Sequence, residues 1–211
     1  MYTYIVVGIV VLLIIWTVGS YLVIWNIEEP AYTVIEKKDG YEIRTYAPYI
    51  KAGVTVSGTY DEATRQGFRL IADYIFGNNV AKESISMTTP VLESKASSEK
   101  IAMTTPVLET ATGSTTRKIA FVLPSKYTLE TLPRPNNSAV TLTPVPTRTV
   151  AVLRFTWYPT ANRIEQKTEL LKKYLARDTK NITGPVETAR YNPPLSMPLT
   201  LRNEIIIPIE E

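Results

Sequence analysis

The hydrophobic pattern divides the chain into one long apolar run and a series of short segments. Residues 5–25 carry no charge, and Tyr and Trp lie towards both ends of the run. A bilayer-spanning helix needs about 20 apolar residues, and aromatic side chains favour both membrane interfaces. We therefore predict an N-terminal transmembrane anchor over residues 1–27. A cleaved signal peptide is the alternative, but the leading MYTY has no Lys or Arg, and no A-x-A cleavage site follows.

Positive charges near this run lie only on its C-terminal side, at Lys37, Lys38 and Arg44. Positive residues favour the cytoplasmic side of a membrane. This asymmetry favours a cytoplasmic domain over residues 28–211 and leaves the side of the membrane open.

Alternating short segments begin after Pro30 and predict strands. Residues 32–36 and 41–46 predict two strands joined by a turn over residues 37–40, which contains Asp39-Gly40. Residues 49–59 predict a third strand, because alternate apolar side chains there share one face. Together the three segments indicate an antiparallel meander.

A helix is predicted over residues 60–76, with acidic residues in its first turn and Gly77 just past its end. Its apolar arc covers about half the circumference, so one part can cover a sheet while another borders a pocket. Arg65 lies three residues before Phe68 and seven before Ala72, so the three share one edge of the arc. An apolar floor with a cation at its rim suits a flat hydrophobic anion, although an exposed surface arginine also explains the pattern.

The opening pattern returns 98 residues later. Residues 141–145 and 148–158 echo residues 42–47 and 50–60, and a second helix is predicted over 160–177. Halves of this kind pair because neither buries its apolar faces alone. We therefore predict an α+β fold: an eight-stranded, distorted antiparallel β-barrel or curved sheet with two helices, built from two pseudo-symmetric β-β-α-β repeats.

The hexapeptide MTTPVL occurs at residues 87–92 and again at 103–108. Each copy reads as a strand end that turns at its Thr-Pro corner, because Pro cannot donate to a sheet ladder. We predict that Met and Val pack inward while the Thr hydroxyls bind corner backbone groups. A role in contacting a partner is the alternative.

This motif, together with Tyr191-Asn-Pro-Pro and Arg202-Asn-Glu-Ile, resembles the SOUL family of heme-binding proteins over residues 29–209. The resemblance implies a fold similar to gyrase-inhibitor-like ligand-binding domains. It also implies that heme lies against the first soluble helix and beneath the late Pro-containing loop, with Arg65 pairing with a propionate. The residues that it implies as heme contacts are Arg65, Phe68, Ile71 and Ala72 on the helix, and Leu195, Met197 and Leu199 in the loop.

Composition limits the chemistry. The chain has neither His nor Cys, which excludes Ser-His-Asp and Cys-His catalysis and any imidazole or thiolate ligand to heme iron. Met197 or a Tyr remains as an axial ligand, and binding by packing alone is the main expectation. A net charge of +3 without a basic stripe gives no case for nucleic-acid binding.

These observations predict non-catalytic binding of heme or a related tetrapyrrole, for buffering, transport or sensing, by a membrane-anchored domain. Two alternatives stay open: an enzyme that acts on a tetrapyrrole or another lipophilic substrate with Glu or Tyr as acid/base, and a sensor or scaffold domain for a non-heme amphiphile.

Overall fold

The computed structural model describes residues 2–81, 98–113, 115–193 and 195–210. The elements in these ranges, in chain order, are α1 (Tyr2–Leu22), β1 (Tyr32–Lys38), β2 (Tyr41–Tyr46), β3 (Tyr49–Ser57), α2 (Tyr60–Ile75), β4 (Asn79–Val80), β5 (Val107–Ala111), β6 (Thr116–Val122), β7 (Arg134–Pro135), β8 (Thr141–Val145), β9 (Arg148–Phe155), α3 (Ala161–Arg177), β10 (Glu187–Arg190), a 3₁₀ turn (Pro198–Thr200) and β11 (Asn203–Pro208).

The chain forms two compact units. The first comprises Met1–Glu28, Thr33–Thr45 and Thr149–Glu211, and the second comprises Glu29–Tyr32 and Tyr46–Arg148. Each unit therefore combines segments from distant parts of the sequence.

The second unit has strands in the order β5-β6-β3-β8, with β4 and β7 as a separate two-stranded ribbon. The β3–β6, β3–β8, β4–β7 and β5–β6 pairs are antiparallel, and Val54 lies opposite Ile119 in the β3–β6 register. Helix α2 packs on β3 and β6, where buried Ile71 and Tyr74 join Val54 and Ile119 in one core. Gly67 permits this close approach, because a Cβ there would lie 2.5 Å from Ile119 Cγ1.

The first unit has strands in the order β1-β2-β9-β11-β10. Strands β9 and β11 pair antiparallel, with Val152 opposite Ile206. Leu171 and Leu175 of α3 are buried against a core that includes Ile205 and Ile207 of β11. The predicted turn between β1 and β2 is confirmed, with Gly40 at a φ of 94°, a conformation that glycine adopts without steric cost.

The internal repeat is visible in the strand order of each unit. Shifting by 98 residues brings β2 onto β8, β3 onto β9 and α2 onto α3. In the second unit β3 lies between β6 and β8, and in the first unit β9 lies between β11 and β2. In each unit, one strand beside the central strand comes from the other half of the sequence: β8 beside β3 in the second unit, and β2 beside β9 in the first. Neither half of the sequence therefore completes a sheet alone.

The predicted α+β class and antiparallel sheet are confirmed, and both soluble helices match the prediction to within one residue at each end. The strand count of eight is too low, because the described residues contain eleven strands. Strands β4 and β7 have only two residues each, and β5 begins directly after Pro106, which we interpreted as a corner. A proline can precede a strand without removing a ladder hydrogen bond.

In the second MTTPVL copy residues 103–106 are irregular and Val107 and Leu108 begin β5, while the first copy lies outside the described residues. Thr104 is buried and its hydroxyl donates a hydrogen bond to the Val122 carbonyl oxygen, which agrees with the predicted role of the Thr hydroxyls. Val107 packs partly against the core. The predicted inward position of Met103 is wrong, since this side chain is 40% exposed. Strand β5 starts only at Val107, so the regular alternation of side-chain direction does not extend back to Met103. Met103 therefore does not point inward like the buried Ile101.

Helix α1 is apolar and exposed over nearly its whole length, with Ser20 as its buried residue. By length and composition it is the one helix in the described ranges that is suited to crossing a bilayer.

Candidate functional site

Helix α2 is fixed at its N-terminus by a reciprocal contact between Thr59 and Glu62. The Glu62 carboxylate accepts hydrogen bonds from the Thr59 hydroxyl at 2.7 Å and from its backbone N–H at 3.1 Å. These bonds lower the pKa of the Glu62 carboxyl, the hydroxyl contributing most. The charge also lies where the helix dipole favours an anion. Capping therefore sets the position of Arg65 one turn further on.

An exposed stripe runs along α2 and includes two phenylalanines. At about 100° per residue, Arg65, Phe68, Ala72 and Phe76 fall within about 80° of one another around the axis. Phe68 is 39% exposed and Phe76 is 57% exposed. The Phe68 ring packs at 5.2 Å, centroid to centroid, on the buried ring of Phe121. One side of Phe68 is thus held by the core while another is open to a ligand.

A cavity of about 590 Å³ adjoins this stripe and is open to solvent. It is lined by Ser57, Glu62, Arg65, Gln66 and Arg69. The prediction of an apolar floor is therefore wrong for this cavity. Glu62, Gln66 and Arg69 project from the same side of α2 as Arg65, so the lining side chains are polar or charged. Two guanidinium groups at one opening favour an anionic ligand.

The structure places all four predicted helix residues on α2 but at different depths. Arg65 and Phe68 are exposed, whereas Ile71 is fully buried and Ala72 is largely buried. Arg65 and Phe68 therefore form the exposed surface of α2, and Ile71 supports it from the core. Sequence reasoning missed Arg69 and Phe76. Phe76 could have been found from its position eight residues after Phe68, but we read it only as the end of the helix.

In the first unit, a buried carboxylate accepts hydrogen bonds from the residues that flank both ends of the Pro-rich loop, which we define as residues 192–201. Glu204 is fully buried and accepts hydrogen bonds from Arg44 at 3.0 Å, Arg202 at 3.0 Å and the Tyr191 hydroxyl at 2.7 Å. Arg44 also bonds Glu42 at 2.9 Å, and the Arg202 guanidinium lies 3.7 Å from the Tyr191 ring centre. A buried carboxylate needs such partners to offset its lost hydration.

Further hydrogen bonds close the base of the Pro-rich loop. The Arg202 backbone N–H donates to Asn192 Oδ1 at 2.6 Å, and the Tyr191 N–H donates to the Arg202 carbonyl at 3.2 Å. Above this base, Leu195 is 88% exposed and Leu199 is 61% exposed. Met197 instead contacts α1: its sulfur accepts a hydrogen bond from Thr17, and its N–H donates to Ser20 Oγ.

A family model described as SOUL heme-binding protein matches residues 27–208 of this chain. The chain belongs to the SOUL heme-binding protein family. Human Heme-binding protein 2 (Homo sapiens) is 29% identical over 167 residues, which cover 78% of this SOUL chain and 76% of the human protein. The family resemblance carried by the sequence motifs is therefore confirmed.

Solved structures share the SOUL chain's fold at low identity. The EcmrR C-terminal domain matches with a TM-score of 0.59 and 7% identity, over 85% of this chain and 98% of that domain. A hydrolase from Listeria innocua matches with a TM-score of 0.52 and 10% identity, over 83% of this chain and 94% of that protein. Identities this low establish the fold and not the activity.

The structure explains two of the motifs that mark this SOUL chain. Tyr191, Arg202 and Glu204 all belong to them, and all three meet in the buried cluster below the Pro-rich loop. These motifs are thus architectural, because they fix the loop ends. The seven heme contacts implied by the family form two groups, one on α2 in the second unit and one in the loop of the first unit. Their contact with heme stays a prediction.

Proposed function

We propose that this protein binds heme or a related tetrapyrrole without catalysing its conversion, and that α1 anchors it in a membrane as a single span. The role is buffering, transport or sensing of the ligand. The observation that carries the proposal is the exposed stripe on α2, which combines two open phenylalanine rings with Arg65, beside a cavity that Arg69 also lines. Membership of the SOUL family supports heme as the ligand.

The side chains on α2 fit a porphyrin. Its macrocycle is flat and apolar and carries two carboxylates, so Phe68 and Phe76 supply contact area. Arg65 and Arg69 pair with the propionates through charge-assisted hydrogen bonds.

Iron coordination is restricted by the chain's lack of His and Cys. When bound, heme supplies a redox-active iron and a strong visible chromophore. Met197 is the methionine candidate for an axial ligand, and its sulfur contacts the Thr17 hydroxyl of α1. Packing and propionate pairing therefore provide the affinity in our proposal, without a protein axial ligand.

The polar lining of the cavity supports a second candidate function, a sensor or scaffold domain for a non-heme amphiphile. A head group with one negative charge would bind Arg65 and Arg69 while its apolar part covers Phe68.

Hemin titration of the full-length protein in lipid nanodiscs tests the proposal, with empty nanodiscs as blank. We expect a saturable Soret shift with the wild-type protein. Arg65→Glu should weaken binding about 10-fold or more, since a charge-assisted hydrogen bond contributes about 1.5–3 kcal/mol. The control Lys172→Glu reverses a charge on α3 in the other unit and should leave binding unchanged.

Two results would contradict heme binding at α2. Absence of a saturable shift would favour the non-heme amphiphile. Equal weakening by the α2 and α3 substitutions would indicate non-specific attraction of hemin to a positive surface.

A further inference from the structure

The Pro-rich loop and its neighbour form an exposed apolar surface in the first unit. The loop carries no charged residue over its ten positions, and Leu195 and Leu199 are the most exposed side chains among its described residues. Trp157 and Tyr158 are also exposed, with ring centres 6.5 Å apart. The backbone N–H of Trp157 donates to the Pro198 carbonyl at 3.0 Å. The segment that carries the two exposed aromatics is therefore hydrogen-bonded to the loop that carries the two leucines.

The same loop is bound to the last turns of α1. Trp16 Nε1–H donates to the Leu195 carbonyl at 2.9 Å, and the Met197 N–H donates to Ser20 Oγ at 2.9 Å. Thr17 donates to the Met197 sulfur. These contacts use the polar groups in this part of an otherwise apolar helix. Unsatisfied polar groups cost several kcal/mol in hydrocarbon. The Thr17 and Ser20 hydroxyls also have carbonyl partners within the helix, at Leu13 and Trp16, so the contribution of the loop is to accept the Trp16 indole N–H.

The contacts also set the depth of the loop. Trp16 precedes the helix end at Leu22 by six residues, or about 9 Å at 1.5 Å per residue. A loop held at Trp16 therefore lies beside the last 9 Å or so of the helix rather than beyond its end. Together the two interfacial layers account for about 10–15 Å of a bilayer's thickness. If α1 is inserted to its end, the loop cannot remain in bulk water.

We propose that the Pro-rich loop inserts into the membrane beside α1, in the leaflet that holds the C-terminal end of this helix. Leu195 and Leu199 enter the boundary between head groups and acyl chains, and Trp157 and Tyr158 lie at the interface, which such side chains favour. The partner of this surface is the lipid bilayer. The inference rests on the membrane anchor proposed above and adds a second membrane contact to it.

Single-cysteine labelling tests this directly, because the natural chain contains no Cys. Leu195→Cys, Leu12→Cys and Gln166→Cys are each introduced into the full-length protein and labelled with the fluorophore NBD. The proteins are reconstituted into vesicles of phosphatidylcholine and phosphatidylglycerol that carry a nitroxide either near the head group or deep in the acyl chain. Leu12 reports the middle of α1, and Gln166 is a matched exposed position on α3 in the same unit.

We expect a blue-shifted emission at position 195 and a larger loss of emission with the shallow nitroxide than with the deep one. Position 12 should show the reverse preference, and position 166 should lose no emission with either. Quenching at 12 without quenching at 195 would overturn the loop insertion and leave the anchor intact. Quenching at neither position would overturn the anchor together with the inference that depends on it.

Discussion

Replacing Gly67 by alanine tests how α2 is held on its sheet. A methyl group at this position would lie 2.5 Å from Ile119 Cγ1 and 2.7 Å from Ile119 Cβ. Forcing extra volume into a packed core costs about 1–3 kcal/mol, and a contact this short with a buried branched side chain belongs at the upper end. Alanine is better than glycine within a helix by about 0.5–1 kcal/mol. We therefore expect Gly67→Ala to lower the free energy of unfolding by about 1–2 kcal/mol.

Thermal unfolding followed by circular dichroism in nanodiscs measures this loss. For a chain of this size, about 1–2 kcal/mol corresponds to a fall in Tm of about 2–8 °C. Gly113→Ala is the matched control, because a Cβ there meets Thr116 Cβ at an ordinary 3.9 Å. The double variant Gly67→Ala/Ile119→Ala should lose less stability than the sum of the two single variants, since the smaller side chain makes room for the methyl group.

A Gly67→Ala protein as stable as the wild type, or more stable, would refute this reasoning. It would show that α2 can move away from β6 without cost. The predicted arrangement of Arg65 and Phe68 above the core would then not depend on this contact.

Three further changes test other parts of the structure. Glu204→Gln should lower the free energy of unfolding by about 3–5 kcal/mol, because it removes the carboxylate shared by buried Arg44 and partly buried Arg202. Urea titration measures this, and a loss below about 1 kcal/mol would contradict the role of Glu204 in the buried cluster. Asp178 has its pKa lowered to about 2, chiefly by hydrogen bonds from Arg177 and then from Tyr41. Its stabilising contribution is present above the ordinary pKa near 3.8 and is lost as pH falls towards 2. Asp178→Asn should therefore flatten the dependence of Tm on pH between about 4 and 2, and an unchanged slope would contradict the assignment. Phe76→Ala should weaken hemin binding by about 10-fold without a matching loss of stability. The reason is that burial of this exposed ring against the ligand contributes about 1–2 kcal/mol to binding, whereas the ring contributes little to the core. Unchanged hemin affinity would show that Phe76 is not part of the site.

Local sequence pattern determined the separate elements of this protein. The uncharged run gave α1, the acidic first turn and the following glycine gave α2, and the 98-residue repeat gave α3 and the pairs of strands that precede both helices. These features depend on neighbours a few residues apart along the chain, where periodicity records which face of an element is apolar. The motifs around Tyr191 and Arg202 also sufficed to identify the family.

The tertiary structure alone decided which elements meet. Strand β2 pairs in the first unit and β8 in the second, each beside a strand from the other half of the sequence. Arg44 is buried on Glu204, although its position in the sequence suggested only a charge flanking a membrane span. Met197 contacts α1, while Leu195 beside it is exposed. Periodicity does not specify partners that lie more than 100 residues away, because such pairings are selected by burial and charge compensation over the whole fold. The candidate site follows the same division: the helical spacing of Arg65 and Phe68 was readable from the sequence, but the burial of Ile71 and the arginine-lined cavity required the packed structure.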